Sequence, residues 1–445
     1  MRRSIPRRAG RWRAPTLAAV LGLSLLATAA CGGGGNAPSD KDTDVTINVA
    51  LAADPPPKAA LDSFTKETGI KVNWVNIDWD SLQTKISAAA TAKTYFADAT
   101  DVDWSRVGEL GKLGWFYPID DYVKTDPLKA DMPQLASFTY QNHVVGIPYD
   151  ASFMVTTVNT DLFKKAGADP APKTMDEYTA ALQKIKSSGT VKYPLNIPFA
   201  AAEGLSTYWY EATNAFGGTI LDGKGKPQFT DPSTPGYKAA KWMVDALKNG
   251  LVPPGNINVS DSQGEQTLMA RGTVASTFSD YSGLVGTLYN VPDSSSVVNK
   301  VQYIATPGTS APAANLSNPD GVGIMKTAKY PKAAAKFIEW FTDSDRQAEF
   351  AGLNGPDKAW ASYALPSHLS AVEKLATGGK LIGGDQLAAL LKTSKPVFPE
   401  GAPAWYSKFS NAVYTHLHAA AAGSETVEQA VKAMSDTAND LSNGS

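Results

Sequence analysis

The chain has 445 residues, room for two or three domains of about 100–200 residues each. Hydrophobic residues make up 43% and charged residues 19%, which excludes disorder over most of the length. Its 41 basic and 43 acidic residues nearly cancel, but residues 1–30 hold six arginines and no acid, leaving 35 basic against 43 acidic residues, a net −8, in the remainder. A body this acidic lacks the electrostatic footprint of a nucleic-acid binder.

In chain order, the arginines (Arg2, Arg3, Arg7, Arg8, Arg11 and Arg13) precede an uncharged stretch over 14–30, APTLAAVLGLSLLATAA. A basic start, a short apolar segment and a small-residue exit predict a secretory signal peptide over 1–30, with an uncleaved membrane anchor as the alternative. Cys31, the only cysteine, follows at once. One cysteine excludes a disulfide framework and a cysteine metal site within the chain. The stretch 32–44, GGGGNAPSDKDTD, completes a flexible tether over 31–44 with a reach of roughly 20 Å. No later stretch is apolar for long enough to cross a bilayer.

The body begins with alternation over 45–51 (VTINVAL), a strand stopped by Pro55–Pro57. Ala60, Leu61 and Phe64 have helical spacing over 58–68, and Gly69 stops that helix. Alternation returns over 70–77, and Asp80 or Ser81 is expected to cap a helix running to 92. Strand, helix, strand, helix predicts an α/β lobe with a mostly parallel sheet. Further helices are expected over 175–187 behind Thr174, over 235–249, over 332–341, and through the tail over 367–376, 386–391, 404–421 and 426–441, the last behind Ser424.

Much chemistry is excluded. His143, His368, His416 and His418 form no metal-ligand spacing, and no H-E-x-x-H, G-x-S-x-G or P-loop occurs. Ser63 and Lys66 match S-x-x-K without its companion motifs. No metal and no cofactor is expected. Carboxylates are plentiful, so a glycoside hydrolase, which needs two of them at the right separation, stays open as a reading.

Acidic and aromatic residues gather at expected strand ends and loops: Asp54, Asp78-Trp79-Asp80, Asp101-Val-Asp103-Trp104-Ser-Arg106 and Asp280-Tyr281 after strands, Tyr149-Asp150 and Asp320 before them, and Tyr208-Trp209-Tyr210 where a helix opens. Ligands of open α/β sheets sit at such carboxyl ends. A flat aromatic ring covers the C–H face of a sugar, while carboxylates and arginine answer its hydroxyls with charge-assisted hydrogen bonds. The competing reading is packing. Trp74, Trp115, Trp242 and Trp340 read as core. Trp79, Trp104 and Trp209 read equally well as core or ligand contact, and Asp80 as a cap.

Four stretches carry a family resemblance: FTKETGIKV over 64–72; GIPYDASFMVTTVNTDL over 146–162 with the following FKKAG and PKTMDEY; GEQTLMARGTVA over 264–275; and YPKAAAKFIEWF over 330–341. The tail stretch GSETVEQAV fits too. Together they resemble the extracellular solute-binding lipoproteins of bacterial ABC importers, in the sugar-binding family that includes maltose-binding protein. The Ala-Thr-Ala-Ala-Cys run resembles a bacterial lipobox, with Thr28 where an aliphatic residue is commoner, and implies cleavage before a diacylglyceryl Cys31. The resemblance implies a two-lobed periplasmic-binding-protein-like fold of type II. Its N-terminal lobe would span 45–150 plus 316–362 and its C-terminal lobe 151–315 plus 363–445, with crossings near 149–152, 311–318 and 360–365. It implies ligand contacts at Asp54, Asp103, Trp104, Arg106, Tyr149, Asp150, Trp209, Tyr210, Asp280 and Tyr281. The strand-end reading adds Trp79, Asp80 and Asp320.

The expected function is non-enzymatic capture of a sugar or oligosaccharide for an ABC permease, by a monomer held on the outer face of the cytoplasmic membrane through its lipid. A polyamine or phosphorylated polyol is the alternative ligand within the same fold.

Overall fold

The computed structural model describes residues 38–260, 264–352, 365–399 and 401–444. The signal segment, Cys31 and most of the third expected crossing lie outside the described residues.

The first sheet forms as the alternation requires. Thr46–Leu51 lies in parallel register between Lys71–Asn76 and Ala99–Asp103. Asp320–Ile324 then adds antiparallel to Ala99–Asp103, and Ile147–Pro148 adds beyond it. Helix Lys58–Thr68 closes at Gly69, whose φ of 74° sets its N–H on the Thr65 carbonyl. A side chain there would be strained, and its Cβ would also meet Thr43 Oγ1 at 2.6 Å. Phe64, Phe337, Trp340 and Phe341 pack together, and the rings of Phe337 and Phe341 stack at 5.4 Å.

The second sheet has the order Val301–Ile304, Met154–Asn159, Ser276–Tyr281, Leu195–Asn196. Two of its pairings are antiparallel and one is parallel, so the expectation of a mostly parallel sheet gives way to a mixed one here. Helices surround it. Met175–Ser187 is capped by Thr174 as expected, in a capping box with Glu177, while Val427–Asn443 is capped by Thr426 with Gln429, two residues beyond Ser424. Likewise Asp78 caps Trp79–Ala92 by accepting from the Ser81 N–H, in place of Asp80 or Ser81.

The chain passes between the sheets on adjacent strands. Asn318 N donates to Ser152 O at 3.1 Å, and Ala151 N to Leu365 O at 2.9 Å. The expected tether is seated on the body from Ser39 onward. Ser39 N bonds the Lys329 carbonyl, and Asp40 and Asp42 pair with Lys332 and Lys336, each at 2.9 Å. Among the described residues no helix is long and apolar enough to cross a membrane.

Candidate functional site

Successive residues of a strand face opposite ways, so Asp101 and Asp103 share one face of Ala99–Asp103. The antiparallel neighbour sets Asp320 opposite Asp103. Asp150, at the first crossing, accepts from the Asp320 N–H at 2.9 Å. Four carboxylates therefore meet where the chain leaves the first sheet. Asp101, Asp103 and Asp150 are buried and Asp320 is half-buried.

Their partners are few. Gln83 Nε2 donates to Asp101 at 2.6 Å, and Tyr149 Oη lies 3.5 Å from its other oxygen. Asp103 accepts from the backbone N–H of Ser105 at 2.8 Å and from its hydroxyl. The Arg106 guanidinium stands 5.7 Å from the Trp79 ring centre and close enough to Asp103 to favour its ionised form. Burial pushes all four acids up. Asp150 reaches about 7, and Asp101 and Asp320 are raised further by their neighbours' charge. One arginine among four buried carboxyl groups leaves a site rich in hydrogen-bond acceptors.

Segments from later in the chain reach this cluster through Trp104. Its ring stacks on Phe398 at 6.5 Å and meets the edge of Tyr406 at 5.7 Å. Tyr406 and Ser410 both donate to Glu203, whose carboxyl burial pushes up. Ser407 Oγ donates to Glu109 at 3.1 Å across the same seam. A Cβ on Gly108 would come within 2.0 Å of the Ala402 carbonyl, so only glycine lets these two segments approach this closely.

The structure thus brings together Trp79, Asp103, Trp104, Arg106, Tyr149, Asp150 and Asp320. Asp54 is exposed at the end of its strand and accepts from Asn76 at 2.7 Å. Asp80 lies in the first turn of its helix, and Tyr281 is half-buried in the second lobe.

Three expectations need correction. Trp209 is fully buried, donates its indole N–H to Gly236 O at 2.9 Å and meets Phe229 edge-on at 4.9 Å. Tyr210 is buried one layer behind Phe398 and Tyr406. All three adjacent aromatics enter the core because Glu203–Ala215 is enclosed on every side, and each residue from Gly204 to Ala215 is buried. Asp280 is an internal strut. Thr157 Oγ1 donates to it at 2.5 Å, Tyr289 Oη at 2.9 Å and Tyr281 N at 2.9 Å, all from its own lobe.

Sequence reasoning missed Asp101, Gln83, Glu203 and Tyr406 as site residues. The i, i+2 spacing to Asp103 was a usable signal for Asp101. Glu203 and Tyr406 stand 203 positions apart and meet only through the fold. Among the described residues no group of His, Cys, Asp or Glu is arranged to hold a metal ion.

Comparison with known proteins supplies the family. A probable ABC transporter-binding protein of Deinococcus radiodurans is 25% identical over 307 residues, 65% of this chain and 69% of that protein. A ribitol complex of an ABC transporter solute-binding protein from Agrobacterium radiobacter superposes with a TM-score of 0.77 at 22% identity, covering 90% of this chain and 99% of that one. Maltose-bound MalE3 of T. maritima gives 0.73 at 20% identity, covering 89% and 100%. These likenesses show the two-lobed α/β fold of type II binding proteins. Residues 46–348 match the bacterial extracellular solute-binding proteins, and the chain belongs to that family.

Proposed function

We propose that this protein is the solute-capturing component of an ABC importer. It takes a neutral, hydroxyl-rich solute, a sugar, polyol or oligosaccharide, between its lobes and delivers it to a membrane permease without chemical change. The observation that carries this reading is the meeting of Asp101, Asp103, Asp150 and Asp320 beside Trp79, Trp104 and Arg106. Carboxylates accept hydrogen bonds from ligand hydroxyls, Arg106 donates to ring or hydroxyl oxygens, and the indoles cover C–H faces. Relatives that bind ribitol and maltose support it. The excess of carboxylate over arginine favours a cationic amine as the second reading, and it disfavours a phosphorylated polyol, whose charge the cluster repels.

The lobes are read as 45–150 plus 316–362 and 151–315 plus 363–445. Export is read from residues 1–30, and lipid attachment at Cys31, where two acyl chains give stable anchoring. A thermal-shift panel of polyols, mono- and oligosaccharides, diamines and sugar phosphates tests the ligand class. A ligand bound by the native state alone raises stability by RT ln(1 + [L]/Kd). Stabilisation by hydroxylated neutral compounds supports the proposal, and stabilisation by amines alone replaces it with the second reading. Unchanged substrate after long incubation removes hydrolysis.

A further inference from the structure

The first sheet has two ends. Asp103 faces Asp320 at the ligand end, and Ala99 faces Ile324 at the other, about 13 Å away at 3.3 Å per residue. Around that far end the chain exposes Lys93, Lys112, Lys326 and Lys329. The ammonium groups of Lys326 and Lys329 each stand 4.0 Å above a tyrosine ring, Tyr117 and Tyr95. Three of the acids near this end are committed elsewhere. Asp98 accepts from Tyr95 Oη and from the N–H groups of Asn48, Lys329 and Tyr330, and Asp40 and Asp42 pair with Lys332 and Lys336. Beside these lysines lies an open hollow of about 440 Å³ walled by Trp115, Met325 and Leu113, the last 49% exposed where few large apolar side chains are exposed among the described residues.

The chain emerges at this same pole, where Ser39 N bonds the Lys329 carbonyl. The eight residues 31–38 reach at most about 29 Å when fully extended. With Cys31 in a bilayer, the pole is confined near the lipid surface, and such confinement turns a weak contact into an occupied one. Lysine stems with apolar and aromatic neighbours suit the headgroup layer, and lysines near an anionic leaflet are attracted over about a Debye length. We propose that this lysine-ringed pole, with Trp115 and Leu113 at its centre, docks on the anionic phospholipid surface that holds the anchor. The proposal rests on the lipid-anchor reading. It directs the carboxylate cluster away from the bilayer while the protein samples solute.

The test uses the processed lipoprotein in vesicles of phosphatidylcholine, alone or with about one-third phosphatidylglycerol, and no permease. Flotation with the zwitterionic vesicles reports the anchor, and mass spectrometry after an amine-reactive pulse reports the pole. Labelling of Lys93, Lys326 and Lys329 is expected to slow about fivefold or more on anionic vesicles and to recover in about 0.5 M NaCl. Lys241 and Lys432 in the second lobe label equally on both. The combined change Lys93→Gln, Lys326→Gln and Lys329→Gln keeps flotation and ligand affinity but removes the protection of Lys112. Flotation with equal labelling on the two vesicle types overturns the docking proposal alone, and is the outcome if the pole meets the permease. Loss of flotation overturns the anchor reading and this proposal with it.

Discussion

Asp103→Asn separates a binding residue from a packing residue because the two roles predict opposite signs. In the free protein the Asp103 carboxyl is buried, faces Asp320 in register and raises both Asp101 and Asp320 through its charge. Asparagine keeps an oxygen for the Ser105 N–H, which lies 2.8 Å from Asp103 Oδ1, and removes the repulsion. Melting of the free protein near neutral pH is therefore expected to stay level or rise. The bound state loses a charged acceptor. Hydrogen bonds to charged groups contribute about 1.5–3 kcal/mol, so Kd is expected to rise between about tenfold and about 150-fold, at 1.4 kcal/mol per decade. Scanning calorimetry of the free protein and titration calorimetry with the ligand found by thermal shift read the two effects separately. A variant that melts markedly lower and binds as tightly as the parent refutes the argument, since Asp103 is then a structural acid. Gains in stability on losing a binding group are a common signature of functional sites.

Three further outcomes follow from the same geometry. Trp209→Ala removes a fully buried indole and its bond to Gly236 O, so it is expected to destabilise by about 3–5 kcal/mol with little effect on Kd in the fraction that folds; intact melting with weakened binding would return Trp209 to the ligand site. Burial pushes Asp150 and Glu211 up to about 7 and Asp280 to about 6, so the folded state binds more protons than the unfolded chain between about pH 4 and 7; the melting temperature of the free protein should rise as pH falls from 8 to about 5.5, and a flat or falling profile contradicts the assignment. Trp104→Ala removes the ring that joins the lobes through Phe398 and Tyr406. Small-angle scattering should then show a larger radius of gyration without ligand and contraction on binding, and an unchanged radius in both states contradicts hinged closure.

The parts of the fold that local chemistry decides were legible in the sequence. Helix Lys58–Thr68 starts and stops where the apolar spacing and Gly69 put it, and Thr174 caps its helix as expected. Pairing of the second sheet was less legible, because two-residue strands such as Leu195–Asn196 leave too little alternation to read. At the site, residues next to a strand end were visible as acids beside aromatics. Their environment was not. Trp104 and Trp209 stand in similar sequence contexts, yet one packs on Tyr406 beside the carboxylates and the other lies behind Phe229. What separates them is how many neighbours enclose the helix or turn, a long-range property. Asp280 and Asp103 likewise differ in who donates to them and in which charges surround them. Asp280 is satisfied within its own lobe by Thr157 and Tyr289, whereas Asp103 faces three other carboxylates across the crossing.

The central claim is that a hydroxyl-rich neutral solute sits on the carboxylate cluster between the lobes. The most direct test is a crystal structure grown with the compound that stabilises the protein most strongly. Ligand hydroxyls are expected within hydrogen-bond distance of Asp103 and at least one of Asp101, Asp150 and Asp320, with a C–H face against Trp79 or Trp104. A ligand seated away from these residues, or an amine bound there as the tightest compound, would contradict it.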